Sequence, residues 1–123
     1  MKNNRALKKI LNELKKNPEI VGVYLFGSYA ENNEKPLSDI DVAVILKNIT
    51  PEIEADIGSM YSDKIDLILF NRLPLHIKFE VFKKGKELFI NDEDYILNLK
   101  LAVLREYLDT AHIYTKMKQE ILK

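Results

Sequence analysis

Residues 27–44 read GSYAENNEKPLSDIDVAV, and two pieces of this stretch decide how the chain is read: Gly27-Ser28 at its start and Asp39-Ile40-Asp41 near its end. Ahead of the glycine, Ile20-Val21-Gly22-Val23-Tyr24-Leu25-Phe26 is apolar, rich in β-branched residues and of strand length. Residues 31–38 are polar and contain Pro36, which predicts a loop. From Asp39 to Leu46 the chain runs carboxylate, apolar, carboxylate and then wholly apolar, the pattern of a central strand whose first residues protrude at the sheet edge. Side chains at i and i+2 of a strand point the same way, about 6.6 Å apart at their Cα atoms, so Asp39 and Asp41 place two carboxylates on one face. Two like charges held this close repel unless a cation sits between them, and hard oxygen donors in an open site suit Mg²⁺ or Mn²⁺.

A third carboxylate stands in Ile65-Asp66-Leu67-Ile68-Leu69-Phe70, a predicted strand in which packing alone would favour Ile or Val at position 66. A carboxylate there costs stability unless it is solvated or bound to metal. Its one neighbour of the same type, Asp63, falls in the polar turn Ser62-Asp63-Lys64. If an adjacent strand brings Asp66 beside the pair, three carboxylates can hold two divalent ions roughly 4 Å apart, the arrangement used for in-line phosphoryl displacement. One of them would also accept the proton of an attacking hydroxyl. At the other end, Gly27 lets the backbone approach a phosphate, and Ser28, opening a short helix, offers its hydroxyl and backbone N–H groups.

Outward from these residues the elements are simple. Leu7, Ile10, Leu11 and Leu14 predict an amphipathic helix over about residues 4–16, stopped by Asn17-Pro18. Pro51 suits the first turn of a helix over 51–61, Pro74 opens one that Gly85 ends, and residues 87–90 form a short strand. Asn91 is expected to cap a long final helix, 92–120, with Asp92, Glu93 and Asp94 in its first turn. Its apolar stripe is read as Ile96, Leu97, Leu101, Leu104, Leu108 and Ala111, and its polar end beyond about Thr110 as a projecting arm for a partner. The sum is one α+β domain over residues 1–123, an α/β two-layer arrangement of a small mixed sheet with flanking helices.

Composition excludes other chemistries. With 123 residues there is room for one core and no second domain. Nineteen Lys and Arg balance nineteen Asp and Glu, so no overall basic field draws the chain to nucleic acid or anionic membrane. The absence of cysteine removes disulfides, thiolate zinc sites and a cysteine nucleophile, and fits a reducing cytoplasm. No apolar run is long enough for a signal peptide or a membrane span, so the chain reads as soluble and cytoplasmic. His76 and His112 lie too far apart for metal-ligand spacing, and Arg72 and Lys78 read as solvated cations.

Gly-Ser, ten residues, then Asp-x-Asp resembles the nucleotidyltransferase superfamily signature, and the spacer and small size resemble its minimal (MNT) branch. KIDLILFN is similar to that family's third-carboxylate strand, PLHIKFEVFKKGKELF to its next helix and turn, and LREYLDT to its last helix. The resemblance covers most of residues 18–110 and implies the DNA polymerase beta-like fold. It also implies two Mg²⁺ ions on Asp39, Asp41 and Asp66, with ATP held at Gly27 and Ser28. Antitoxins of HEPN/MNT toxin–antitoxin pairs transfer AMP from ATP to a tyrosine of a HEPN ribonuclease toxin, so a cognate HEPN toxin is the implied partner. Where many members carry Arg-Gly after Ser-x-Ala, this chain has Glu31-Asn32, which takes a cation away from the phosphate loop. Alternative readings keep the chemistry but change the acceptor to a small molecule or an RNA end, or keep the partner and dispense with catalysis.

Overall fold

The computed structural model describes residues 4–27, 40–60 and 64–122. The elements run α1 (Asn4–Lys15), β1 (Ile20–Phe26), β2 (Ile40–Leu46), α2 (Pro51–Ser59), β3 (Ile65–Leu69), α3 (Leu75–Lys84), β4 (Lys86–Ile90) and α4 (Glu93–Ile121). A short 3₁₀ turn over Phe70–Arg72 follows β3. The strand order is β3-β2-β1-β4. β1 is antiparallel to both β2 and β4, and β3 runs parallel to β2.

β2 is apolar on alternate residues of both faces because both faces are covered. Ile40, Val42, Val44 and Leu46 meet Ile10 and Leu14 of α1 and Ile57 of α2. Ala43 and Ile45 meet Val81 of α3 and Ile96 and Val103 of α4. The α+β class and the small mixed sheet with flanking helices are as expected. The sheet lies between two helical layers, however, so the arrangement has one layer more than the two expected, because apolar side chains on both faces of β1 and β2 need cover. A register shift between Ile20 and Gly22 lets Val21 turn into the second cluster while Ile20 stays in the first.

Helix ends follow local chemistry. Thr50 Oγ1 accepts from the Ile53 N–H at 3.2 Å and Pro51 fills the next position, where no N–H is needed. Gly85 ends α3, though with an ordinary negative φ of −70°. Glycine is required there by crowding: a Cβ would stand 2.2 Å from the Val81 carbonyl oxygen and 3.0 Å from that of Leu25.

The final helix departs from its sequence reading in two respects. Its cap is Asp92, whose carboxylate accepts from the Tyr95 N–H at 3.0 Å, whereas Asn91 donates its backbone N–H to the Val21 carbonyl. Its covered residues are Ile96, Leu99 and Val103, packed in the cluster formed with the sheet and α3, and Tyr107, stacked on Phe79 of α3, whereas the leucines expected to pack, Leu97, Leu101, Leu104 and Leu108, are exposed. The sequence offers two apolar stripes on one helix, and hydrophobicity alone does not say which meets the sheet. No helix among the described residues is long and apolar enough to cross a membrane.

Candidate active site

The end of the sheet where β1 leaves and β2 and β3 begin collects the polar residues. In the parallel ladder Ile40 pairs with Ile65 and Asp41 with Asp66. Lateral partners point to the same side of a sheet, with neighbouring strands about 4.8 Å apart, so the two carboxylates stand side by side. Alternation fixes which side: Ile40 and Ile65 enter the cluster under α1 and α2, so Asp41 and Asp66 face the side that carries α3 and α4. Asp41 is half-buried and Asp66 exposed. Asp66 thus escapes the burial penalty that its apolar neighbours suggested, because it sits one residue inside the strand's open end.

On the other flank of Asp41 the antiparallel ladder places Phe26, so Phe26, Asp41 and Asp66 form one row across three strands. The next residue, Gly27, has φ +77°, a conformation that L side chains rarely adopt. A Cβ built on it would stand 2.5 Å from Asp41 Oδ2. The glycine is needed twice over, for its backbone and for the room it leaves the carboxylate. Sequence reading assigned it only to phosphate approach, because its lateral contact with Asp41 depends on strand register.

Behind this row lies an aromatic support. Tyr24 pairs laterally with Ala43 and meets Phe82 edge-on at 5.4 Å, and Phe82 lies 5.0 Å from Phe70 at the end of β3. These rings fasten α3 to the sheet. The Tyr24 hydroxyl is buried with no hydrogen-bond partner among the described residues. Burial pushes its pKa above the ordinary 10, opposed by Lys100, whose ammonium lies 5.8 Å from the ring centroid, and reinforced by Glu87. Nothing in the spacing of Tyr24 marks it as a neighbour of the site.

Of the five residues expected to build the site, Gly27, Asp41 and Asp66 come together as described. Ser28 and Asp39 lie outside the described residues. Among the described residues no group of three histidines or carboxylates forms a metal-binding set. The pair that is described fits a divalent cation by its chemistry: two acceptor-only groups on one face at an open sheet edge. Arg72, exposed, pairs with Glu54, and His76 is exposed on α3.

Comparison with known proteins agrees with this architecture. The sequence profile of the family described as Polymerase beta, Nucleotidyltransferase matches residues 8–94. A Methanocaldococcus jannaschii protein with a provisional protein-adenylyltransferase name is 37% identical over 73 residues, 58% of this chain and 57% of that protein. The protein adenylyltransferase MntA of Shewanella oneidensis is 32% identical over 92 residues, 70% of this chain and 66% of that protein. The matched stretches thus span less than two thirds of either relative. Among solved structures, a toxin–antitoxin complex with AMP-PNP superposes with a TM-score of 0.69 at 21% identity, covering 98% of this chain and 99% of that one. The MNT-antitoxin complex of a tri-AMPylated Shewanella oneidensis HEPN toxin gives 0.63 at 21% identity, covering 98% and 97%. At such identity the superpositions establish the fold, and the profile establishes kinship: the chain belongs to the polymerase beta nucleotidyltransferase family.

Proposed function

We propose that this chain is a magnesium-dependent protein adenylyltransferase, a single minimal nucleotidyltransferase domain that works in the cytoplasm as the antitoxin of a HEPN-type toxin. The observation that carries the reading is the lateral pairing of Asp41 with Asp66 beside Gly27, which puts two carboxylates and a side-chain-free corner at one sheet edge. The naming of its relatives as protein adenylyltransferases supports the choice of reaction, and the toxin–antitoxin complexes among its structural neighbours support the choice of partner.

In this reading Asp39, Asp41 and Asp66 would be the carboxylates that hold the Mg²⁺ ions. Gly27 and Ser28 receive the triphosphate of ATP through backbone N–H groups and the serine hydroxyl. The bound cations supply neutralisation of the charge that builds on the phosphate oxygens. Asp66, the most exposed of the row, accepts the proton of an acceptor tyrosine. The tyrosine oxygen forms a bond to the α-phosphorus, the bond from that phosphorus to the bridging oxygen breaks, and pyrophosphate leaves. The acceptor keeps AMP.

Incubation with labelled ATP, Mg²⁺ and the HEPN protein encoded beside this chain is the test. Label should appear on a toxin tyrosine with wild-type protein and be lost with Asp39→Ala/Asp41→Ala. Equal labelling by the two would refute the reading.

A further inference from the structure

The two outer strands of the sheet present different edges. β4, outermost on one side among the described strands, carries exposed Lys86 and Glu87 and pairs with β1 through a register shift between Val23 and Tyr24. Charges and irregularities of this kind keep a strand edge from accepting further strands. β3, outermost on the other side, is Ile65-Asp66-Leu67-Ile68-Leu69, paired with β2 in unbroken register and apolar but for the carboxylate. The Ile40 N–H bonds to the Lys64 carbonyl, so in this parallel ladder residues 64, 66 and 68 turn their backbone groups to β2. Leu67 therefore turns its N–H and C=O to the open edge, where neither has a partner among the described residues. Alongside that edge runs a groove of about 560 Å³, whose walls include Ala55 and Gly58 of α2 and Leu67, Ile68 and Leu69 of β3. A Cβ placed on Gly58 would meet no atom within 4 Å, so the α2 wall leaves room for a side chain.

We propose that the acceptor tyrosine is presented in an extended segment that adds to the open edge of β3 as a further strand, with the tyrosine opposite Asp66. The proposal rests on the reading of this chain as a protein adenylyltransferase and adds to it how the target is held. Lateral partners in a sheet share a face, and neighbouring strands lie about 4.8 Å apart. A residue opposite Asp66 continues the row of Phe26, Asp41 and Asp66 by one strand, with its side chain on the carboxylate face. The residues on either side of it point to the other face, where α2 packs on Ile65 and Leu67 and the groove lies. The Leu67 backbone exchanges hydrogen bonds with the segment, which gives affinity without regard to sequence, and the groove selects small or apolar neighbours of the tyrosine. The edge itself chooses this occupant: a strand laid on β3 is delivered to the carboxylates, and a strand laid on β4 is not. A small-molecule or nucleotide acceptor would use neither the Leu67 backbone nor the groove. The target tyrosine is accordingly one in an exposed, extended stretch of its protein.

Two measurements on the full chain with the HEPN protein encoded beside it test this. Amide exchange of the free chain, followed by NMR, should be faster at Leu67 than at Asp66 and Ile68, whose N–H groups bond to β2. Addition of the HEPN protein should slow exchange at Leu67 by about tenfold or more. Gly58→Leu fills the groove with a better helix former. It should raise the KM for the HEPN protein by about ten- to a hundredfold while kcat and ATP binding stay at wild-type values and the melting temperature does not fall. A Leu67 amide already slow in the free chain, as a second copy on the edge would make it, would overturn the proposal. So would a complex in which Leu67 exchanges as before, or a Gly58→Leu variant with wild-type KM. In each of these cases wild-type protein still labels its target, so the proposal fails and the reading of the activity stands. No labelling by wild-type protein would overturn both.

Discussion

Asp41 and Asp66 are direct lateral partners on parallel neighbouring strands, although 24 residues and a helix separate them in the chain. The crossover through α2 is what makes this possible, since a parallel strand must return to the same edge before it starts. Both strands begin at that edge, so the second residue of each carries its carboxylate to the same open end of the same face.

Gly27→Ala adds a methyl group 2.5 Å from Asp41 Oδ2 at a backbone φ of +77°. The left-handed conformation alone costs a non-glycine residue about 1–2 kcal/mol. The carboxylate must also move, and a displacement near 1 Å at a reacting centre costs about 10²-fold in rate. Pyrophosphate release should fall by roughly that factor and thermal stability should drop with it. Full activity in the alanine variant would show that Asp41 is not held by this contact.

Asp66→Asn removes one of two adjacent like charges without changing volume. In metal-free buffer the melting temperature should hold or rise, because repulsion with Asp41 is relieved. The rise that Mn²⁺ or Mg²⁺ gives the wild type should shrink, since a ligand that binds only the folded state stabilises it in proportion to its affinity. Adenylyl transfer should be lost in parallel. Differential scanning with and without metal reads both effects, and metal stabilisation equal to wild type would remove Asp66 from the cation site.

Tyr24→Phe deletes a buried hydroxyl that has no hydrogen-bond partner among the described residues. A buried hydroxyl without a well-formed hydrogen bond costs about 1–3 kcal/mol, and the nearby Lys100 ammonium offsets part of that, so the phenylalanine variant should be at least as stable as wild type. The pH dependence separates this from packing. Burial raises the hydroxyl's pKa in the folded chain above the ordinary 10, so the folded state holds the proton more tightly than the unfolded one. That contribution is complete below pH 10 and is lost as pH rises past it. Urea midpoints between pH 8 and 11 should fall more steeply for wild type than for Tyr24→Phe.

The start of α4 is tied to the end of β2 by Lys47, whose ammonium lies 2.7 Å from Asp92 Oδ2 while the other carboxylate oxygen caps the helix. The hydrogen bond to Lys47 and that to the Tyr95 N–H hold the Asp92 pKa below the usual 3.8, and Asp92 raises that of Lys47 above 10.5. A depressed carboxylate contributes above its unfolded pKa and is lost as pH falls below it. A raised lysine contributes below 10.5 and is lost above it. The link therefore works between about pH 4 and 10.5. Asp92→Ala should lower the melting temperature at pH 7, and the difference from wild type should narrow below pH 4. Equal melting at pH 7 would show that another group caps the helix.

Sequence by itself determined where the strands lie and singled out the carboxylates to which the proposed chemistry is assigned. Local signals sufficed for that: β-branched runs, Pro51 at a helix start, and carboxylates in otherwise apolar strands at Asp41 and Asp66. Only the tertiary structure decided which residues touch. Strand order and register, which set Asp41 against Asp66, Phe26 against Asp41 and Gly27 under the carboxylate, come from long-range pairing with no local signal. The same holds for α4. Its sequence carries two apolar stripes, and the sheet and α3 take the one with Ile96 and Val103, while the short turn after β4 joins Asn91 to the Val21 carbonyl and caps the helix with Asp92. The leucines of the other stripe are left outside by that geometry, since burial is a property of the packed chain and hydrophobicity only a property of the residue.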